Sequence, residues 1–141
     1  MAEYSSAAAQ TVAQNQNVLF TETEIPCTSG FVIHREGSGL FTLRSAQNAR
    51  FARYLVTFGA NIAVPTGGTA EEISLSLAIN GESLASSTMI STPAAVGEFN
   101  NVSRAETITV PNGCCLSVSV RNTSEQAVTV QNANINITRV A

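Results

Sequence analysis

The sequence predicts an all-β protein, an antiparallel β-sandwich or jelly roll, and three observations support this prediction. Apolar and polar residues alternate over segments of strand length, as they do in a strand with one buried and one solvated face. Short turn signals rich in Gly, Pro and Asn separate these segments. No segment carries a credible long helical pattern. About eight strands with turns at short intervals are typical of such a sandwich.

The two clearest strand patterns lie in FARYLVTFGANIAVPTGGTAEEISLSLAIN, residues 51–80. In the first pattern, one face of an extended chain carries Tyr54, Val56, Phe58, Ala60 and Ile62. In the second pattern, the apolar residues Ile73, Leu75, Leu77 and Ile79 alternate with Ser74, Ser76, Ala78 and Asn80. Both patterns predict half-buried strands of antiparallel sheets, with a dry inner face and a wetter outer face.

The chain before these strands changes character at residue 16. Residues 1–16 are rich in Ala, Gln, Ser and Asn. This composition predicts either a flexible or weakly helical leader, or an arm that orders only against a neighbouring subunit. From residue 17 the pattern is that of strands, because NVLFTETEI ends at Pro26 and the segments FVIH and LFTLR flank the turn EGSG. We therefore predict a short N-terminal arm at 1–16 and a jelly-roll domain at 17–141.

Hairpin signals continue through the second half of the chain. Asn80-Gly81 is the strongest of them, because both central residues of a tight hairpin turn take positive φ. This turn is expected to return the chain through ESLASSTMI. A loop of small residues containing Pro93 follows, and then a strand near residues 102–110.

The last two strands are predicted on either side of a turn at residues 122–126. The first follows the PNG turn at 111–113, with Leu116, Val118 and Val120 facing inward and Ser117 and Ser119 facing outward. In the second, AVTVQNANINITRV, Val130 and Ile135 belong to apolar rows of opposite phase. This phase change predicts a bulge or bend near Asn132, a common feature at the corner of a sandwich.

Composition limits the kinds of partner that the chain can bind. Charged residues make up 12% of the chain, about half the usual share, and the net charge is -3. This balance gives no electrostatic reason to expect nucleic acid or an anionic membrane. The apolar runs are strand-sized, so no transmembrane helix is predicted. The first residues lack the basic and apolar regions of a signal peptide, so we expect synthesis in the cytoplasm without one.

The order of the segments RYLVTFGANI, ISLSLAINGESLASSTMI and ETITVPNGCCLSVSVRNTSEQAVTVQNANINITRV carries a family resemblance. The run from Tyr54 to Val140 resembles the C-terminal domain of BclA-like exosporium glycoproteins and, through it, the TNF/C1q-like trimeric jelly roll. The resemblance is greatest in the LAINGE hairpin, the TVPNG turn and the closing NANINITRV. None of these segments is a catalytic signature, and their order is more specific than any one of them.

The resemblance implies jelly-roll subunits packed as a tight homotrimer on the surface of a particle, either a spore exosporium or coat layer, or a phage capsid decoration or fibre. No collagen-like Gly-X-Y stalk precedes the domain, so residues 1–16 are expected to dock onto a shell or a neighbouring trimer instead. Some large strand residues, Tyr54 and Phe58 above all, are then expected along the axis shared by three subunits. The candidates for either the core or the trimer axis are Tyr54, Val56, Phe58, Ile62, Leu75, Leu77, Leu116 and Val118.

Few residues suggest chemistry. His34 is the single histidine, and a hydrolase would need it as a base beside a nucleophile and an orienting group. No G-x-S-x-G motif and no Asp are present, so we predict no catalytic residue and no cofactor. A zinc site of Cys27, His34 and Cys114 or Cys115 is a weak candidate. Alternatively, Cys114 is a buried thiol and Cys115 is exposed or at an interface.

The odd number of cysteines also permits a disulfide cross-link between subunits through Cys27, Cys114 or Cys115. Such a bond would suit a particle exposed to oxidising conditions.

Two functions therefore follow from the sequence. The first is a non-enzymatic structural protein that assembles as a homotrimer on a spore surface or a virion exterior. The alternative is a binding module that holds carbohydrate or a host receptor in the loops at 64–69 and 92–101, where Phe99 is the one aromatic residue. An enzyme is a distant third hypothesis, because no nucleophile, base and orienting group can be assembled.

Overall fold

The computed structural model describes residues 1–28, 30–45, 50–112 and 115–141 of the chain. Within these residues it contains twelve β-strands and one short 3-10 helix, Ala85–Ser87. The strands are β1 Ala2–Ser6, β2 Gln10–Val12, β3 Glu22–Ile25, β4 Val32–His34, β5 Phe41–Arg44, β6 Phe51–Ala63, β7 Ile73–Ile79, β8 Glu82–Ser83, β9 Met89–Ser91, β10 Asn100–Pro111, β11 Cys115–Asn122 and β12 Val128–Arg139. No helix in the described part of the chain is long and apolar enough to cross a membrane.

The strands form two six-stranded sheets, and every pair that the register defines is antiparallel. Sheet A has the order β10-β6-β12-β1-β3, with β2 also paired to β12. Sheet B has the order β4-β5-β11-β7-β8, with β9 also paired to β7. The prediction of an all-β antiparallel sandwich is therefore confirmed.

The hydrophobic core lies between the two sheets and is centred on β6. Alternate residues of this strand face inward, and Tyr54, Val56, Phe58 and Ile62 are each 0% exposed. Leu75, Leu77 and Val118 of sheet B are equally buried, whereas Leu116 is only partly buried. The core of a single subunit thus accounts for Tyr54 and Phe58. Their predicted place on a trimer axis is wrong, because a side chain enclosed by its own subunit cannot line a surface shared with others.

Two turn and bulge predictions are confirmed by the backbone. Asn80 and Gly81 both take positive φ, 52° and 84°, as the hairpin signal requires. Asn132 has φ of 56°, and the pairing between β12 and β6 shifts register between Gln131 and Asn134. This bulge lets the apolar rows on both sides of Asn132 face the same core despite their opposite phase. Gly113 of the predicted PNG turn, like Cys114, lies outside the described residues.

The N-terminal segment differs from the predicted arm, because it supplies two strands of sheet A. β1 lies between β12 and β3, and β2 continues along β12. Ala2, Tyr4 and Val12 of these strands are at most 4% exposed. The physical reason is that the few larger side chains of this Ala-rich segment fall on one face and find their apolar partners on β12, at the other end of the chain.

The side chain of Gln10 further attaches this segment to the domain. Its amide donates to the carbonyl of Leu19 over 2.9 Å and accepts from the Leu19 N–H over 2.9 Å. These two hydrogen bonds take the place of a pair of backbone bonds between strands. Residue 16 therefore does not separate an arm from the domain within one subunit.

The outer face of sheet B is drier than predicted. Ser76 and Ala78 of β7 and Ser119 of β11 were expected to face water, but they are at most 2% exposed. Ala78 lies opposite Ser119, and Ser76 lies opposite Arg121. These small side chains lie on the interior strands β7 and β11 of the sheet. The predicted alternation therefore gives the direction of each side chain correctly but not its exposure.

Candidate functional site

The outer surface of sheet A carries an uncharged patch across β10, β6 and β12. Leu55, Thr57 and Gly59 of β6 are flanked on both sides by residues in direct register. Leu55 lies opposite Thr107 and Thr138, Thr57 opposite Ala105 and Asn136, and Gly59 opposite Ser103 and Asn134. We call these nine residues the sheet A face. Three rows across three strands thus contain no charged side chain.

Leu55 is the large apolar side chain of the sheet A face, and it is 38% exposed. Phe51 and Arg53 continue the outward row of β6 towards one end, where the Arg53 guanidinium lies 4.4 Å from the centre of the Phe51 ring. On the β12 side, Glu3 of β1 lies opposite Asn136. Charged groups therefore border the patch while its centre stays neutral.

A row of asparagine amides crosses the opposite end of the same surface. Asn101 donates to Asn61 over 3.2 Å, and Asn61 donates to Asn132 over 3.3 Å. Asn132 in turn donates to the carbonyl of Ala7 over 3.5 Å. These bonds link β10, β6 and β12 through their side chains and hold the surface in one arrangement.

Asn136 in the sheet A face has an incomplete set of hydrogen bonds. Its amide nitrogen donates to the side-chain oxygen of Asn134 over 2.8 Å. Its own side-chain oxygen is buried and has no partner among the described residues. A buried acceptor without a donor is unfavourable by about 1–3 kcal/mol.

His34, the candidate for chemistry, lies in an open cleft between the edges of the two sheets. The cleft has a volume of about 620 Å³ and is lined by Tyr4, Cys27, His34 and Glu36, among other residues. The His34 ring stacks on Phe41 at 4.3 Å and contacts the ring of Tyr4 at 4.7 Å. Its Nε2–H donates to the carbonyl of Ser38 over 2.9 Å, which fixes the tautomer. Nδ1 is buried and has no partner within the described chain.

This cleft does not assemble the predicted zinc site from the residues that the structure describes. No three His, Cys, Asp or Glu side chains among them are placed to hold a metal ion. Cys114, the third residue of the candidate set, lies outside the described residues. Cys115 is on the surface, opposite Arg44, and Cys27 is partly buried. A disulfide between subunits remains a prediction for all three cysteines.

The two tyrosines lie close to Cys27, and their pKa values are shifted in the same direction. Burial raises the pKa of the Tyr4 hydroxyl, and the nearby Cys27 adds to the shift. Burial also raises the pKa of Tyr54, although the neighbouring Arg139 opposes it. The Tyr54 hydroxyl donates to the carbonyl of Arg44. Both tyrosines are buried core residues, and the Tyr54 hydroxyl is held by this hydrogen bond.

The two loops predicted to bind a ligand meet at one end of the sandwich. The N–H of Gly97 donates to the carbonyl of Val64 over 3.0 Å, which joins the loop at 92–101 to the loop at 64–69. The side chain of Gln126 holds the same end by two hydrogen bonds to the backbone of Thr69, of 3.0 and 2.7 Å. Phe99 is 44% exposed beside them. The sequence predicts both loops, but it does not show that they are in contact.

Comparison with known proteins supports the fold. No protein-family model matches the chain, and no curated protein matches its sequence. Among solved structures, the globular domain of zebrafish complement 1qA protein aligns with a TM-score of 0.69 and 13% identity, covering 99% of this chain and 96% of that one. Eiger TNF from S. frugiperda aligns with a TM-score of 0.69 and 13% identity, covering 99% and 91%.

Sheet order and these alignments together define the class of the protein as an antiparallel jelly roll. More particularly, the chain has the TNF/C1q-like form of that fold, as its resemblance implied. The EclA C-terminal domain, a sugar-binding protein, also aligns, with 16% identity over 94% of this chain and 79% of that one. Its TM-score of 0.43 is too low to support an argument about this chain.

Proposed function

We propose that this protein is a non-enzymatic structural module that forms homotrimers on the surface of a particle, either a spore exosporium or coat layer, or a phage capsid decoration or fibre. The observation that carries the proposal is the sheet A face, an uncharged, in-register patch on a rigid sheet. The TNF/C1q-like fold supports a trimer as the form of association, as the resemblance implies. Three copies related by a rotation axis form a closed assembly.

The chemistry of the sheet A face suits contact with a second copy of the chain. The centres of protein interfaces are depleted in charged residues, because a buried charge that lacks a partner is strongly unfavourable. Thr57, at the centre of the patch, has neutral neighbours on both adjacent strands.

The test is a measurement of mass in solution for the wild-type chain and for the Thr57→Arg variant. We expect sedimentation or native mass spectrometry to find a trimer at micromolar concentration for the wild type. Thr57→Arg should give a folded monomer, because it places an unpaired charge at the centre of the interface. Thr66→Arg, in an exposed loop, makes the same substitution outside the sheet and should remain trimeric. A monomeric wild-type chain would contradict the proposal.

The proposed location needs a separate test. An antiserum raised against the purified chain should label the surface of intact spores, or of purified phage particles, from the source organism. The same antiserum should lose its label after absorption with the pure protein. Absence of labelling on both kinds of particle would contradict the proposed location. It would not bear on the proposed trimer.

The alternative function is a binding module for carbohydrate or a host receptor. It is favoured by the junction of the loops at 64–69 and 92–101, where the ring of Phe99 is exposed. Exposed aromatic rings with polar neighbours are a common arrangement for holding sugar rings. A glycan array probed with the intact protein and with Phe99→Ala tests this function. Binding that the variant loses would support it, and an array without hits would count against it.

A further inference from the structure

β10 is a long strand at the edge of sheet A. It runs for twelve residues, Asn100–Pro111, and pairs with β6 along its whole length. Within the described residues, no strand pairs with its other edge. An exposed edge of this length presents unpaired N–H and C=O groups that can accept a strand from another molecule.

The other terminal strands present much less edge. β3 has four residues, of which Glu22 and Glu24 are exposed, and Pro26 follows it. In sheet B, the terminal strands β4 and β8 have three and two residues. Short strands, charges and proline are the usual means by which proteins keep edges from pairing. β10 is long, and its one proline is its last residue, Pro111, so any protection of this edge has to come from the charged residues of the strand.

Two charged residues interrupt the inward row of β10. Val102, Ile108 and Val110 of this row are buried. Between them, Arg104 lies opposite Phe58 and Glu106 lies opposite Val56, so both charged residues point towards the inner side of the sheet. Phe58 and Val56 are themselves fully buried in the core. The two charges therefore stand at the rim of the core, where the pattern of the strand calls for apolar residues.

Arg104 and Glu106 form an ion pair across this rim. Nη2 and Nε of Arg104 lie 3.0 and 3.1 Å from Oε1 of Glu106. The two side chains are 44% and 20% exposed, so water still reaches them. An ion pair with this exposure contributes little to stability. Stability alone therefore does not account for charges at these two inward positions.

We infer that the Arg104–Glu106 pair protects the β10 edge against the addition of a strand from a second copy of this chain. An added strand would extend sheet A, and its inward side chains would cover both charged groups. Taking the two charges out of water is unfavourable and opposes the gain from new backbone hydrogen bonds. Association is thereby directed away from the edge, and the chain avoids open-ended growth of the sheet.

The inference concerns the edge of β10, whereas the proposed trimer uses the outward residues Ser103, Ala105 and Thr107 of the same strand. It is tested by R104V/E106V, which completes the apolar row of β10. We expect the folded variant to form large species that bind thioflavin T, at a protein concentration about tenfold or more below that at which the wild type does so. Light scattering and sedimentation measure this concentration.

Two further variants serve as controls. R104E/E106R keeps both charges at the rim and should behave as the wild type. R35V/E36V removes the same residue types from an exposed turn outside sheet A and should also behave as the wild type. If R104V/E106V fails to fold, R104T/E106T removes the charges without adding large apolar groups and must show the same association. The inference would be overturned if the folded uncharged variant associated no more readily than the wild type. It would also be overturned if R104E/E106R or R35V/E36V associated as readily as R104V/E106V.

Discussion

Tyr4 of β1 lies directly opposite Ile135 of β12, and both side chains are buried in the core. The Tyr4 ring also contacts the ring of Phe41 on sheet B, with 5.0 Å between the ring centres. One residue near the start of the chain therefore joins the last strand of sheet A to the opposite sheet. The N-terminal segment is part of the core for this reason.

Replacing Tyr4 by alanine should lower the free energy of unfolding by about 3–5 kcal/mol, because it removes a large buried side chain and leaves a cavity. Urea denaturation followed by circular dichroism measures the change. Thr11→Ala, on the exposed side of β2, should change stability by less than about 0.5 kcal/mol. A similarly small effect at Tyr4 would restore the hypothesis that residues 1–16 are an independent arm.

Asn122 is a second buried residue that connects distant parts of the chain. Its amide nitrogen donates to the carbonyls of Val12 and Gln126, each over 2.9 Å. Its oxygen accepts from the N–H of Ser124 over 2.9 Å. Asn122→Ala should lower the free energy of unfolding by about 3 kcal/mol or more, because three backbone groups lose their partner at about 1–3 kcal/mol each.

The matched control for Asn122 is Asn112→Ala, which removes the same amide from an exposed turn. We expect its urea unfolding midpoint to match that of the wild type. Equal midpoints for Asn122→Ala and Asn112→Ala would show that the buried amide does not stabilise the fold as the hydrogen bonds indicate.

Alkaline pH should destabilise the protein through its two tyrosines. An unfolded tyrosine ionises near its ordinary pKa of 10.0, whereas burial raises the pKa of Tyr4 and Tyr54 in the folded chain. The unfolded state therefore loses these protons first. Stability should be fully present below about pH 10 and should fall as the pH rises through the folded pKa values.

The double variant Tyr4→Phe/Tyr54→Phe tests this pH dependence. Its free energy of unfolding should vary less than that of the wild type between about pH 9 and pH 11 in a series of urea titrations. The chain contains no lysine, so the cysteine thiols are the main other groups that titrate near this range. The slope of the free energy of unfolding against pH is the informative quantity, because the variant also loses the Tyr54 hydrogen bond at every pH. An unchanged slope would show that the tyrosines are not its source.

The strands with local signals could be predicted from the sequence. The alternation in β6, the positive φ of Asn80 and the bulge at Asn132 each depend on a few neighbouring residues, and the structure contains all three. β1 was missed because its signal is weak by itself. Its apolar residues become a core strand only beside β12, whose sequence lies more than a hundred residues later.

The candidate site was missed for a related reason. Sequence patterns pointed to the inward residues, such as Tyr54 and Phe58, and the structure encloses these within one subunit. The outward residues, such as Leu55 and Thr57, lie on the face that the alternation predicts to be solvated. Their common neutrality becomes visible when the register aligns them with β10 and β12. Register between distant strands depends on the packing of the whole sheet, so no local pattern reveals it.

The sequence by itself determined the class of the fold, because alternation with period two and turn residues at short intervals are local consequences of extended backbone geometry. Tertiary structure decided which strands are neighbours and what their outer faces share. It placed β1 inside sheet A, brought three neutral strand segments into one patch, and set Arg104 and Glu106 at an open edge. These outcomes depend on contacts between residues far apart in the chain, which only the folded sandwich brings together.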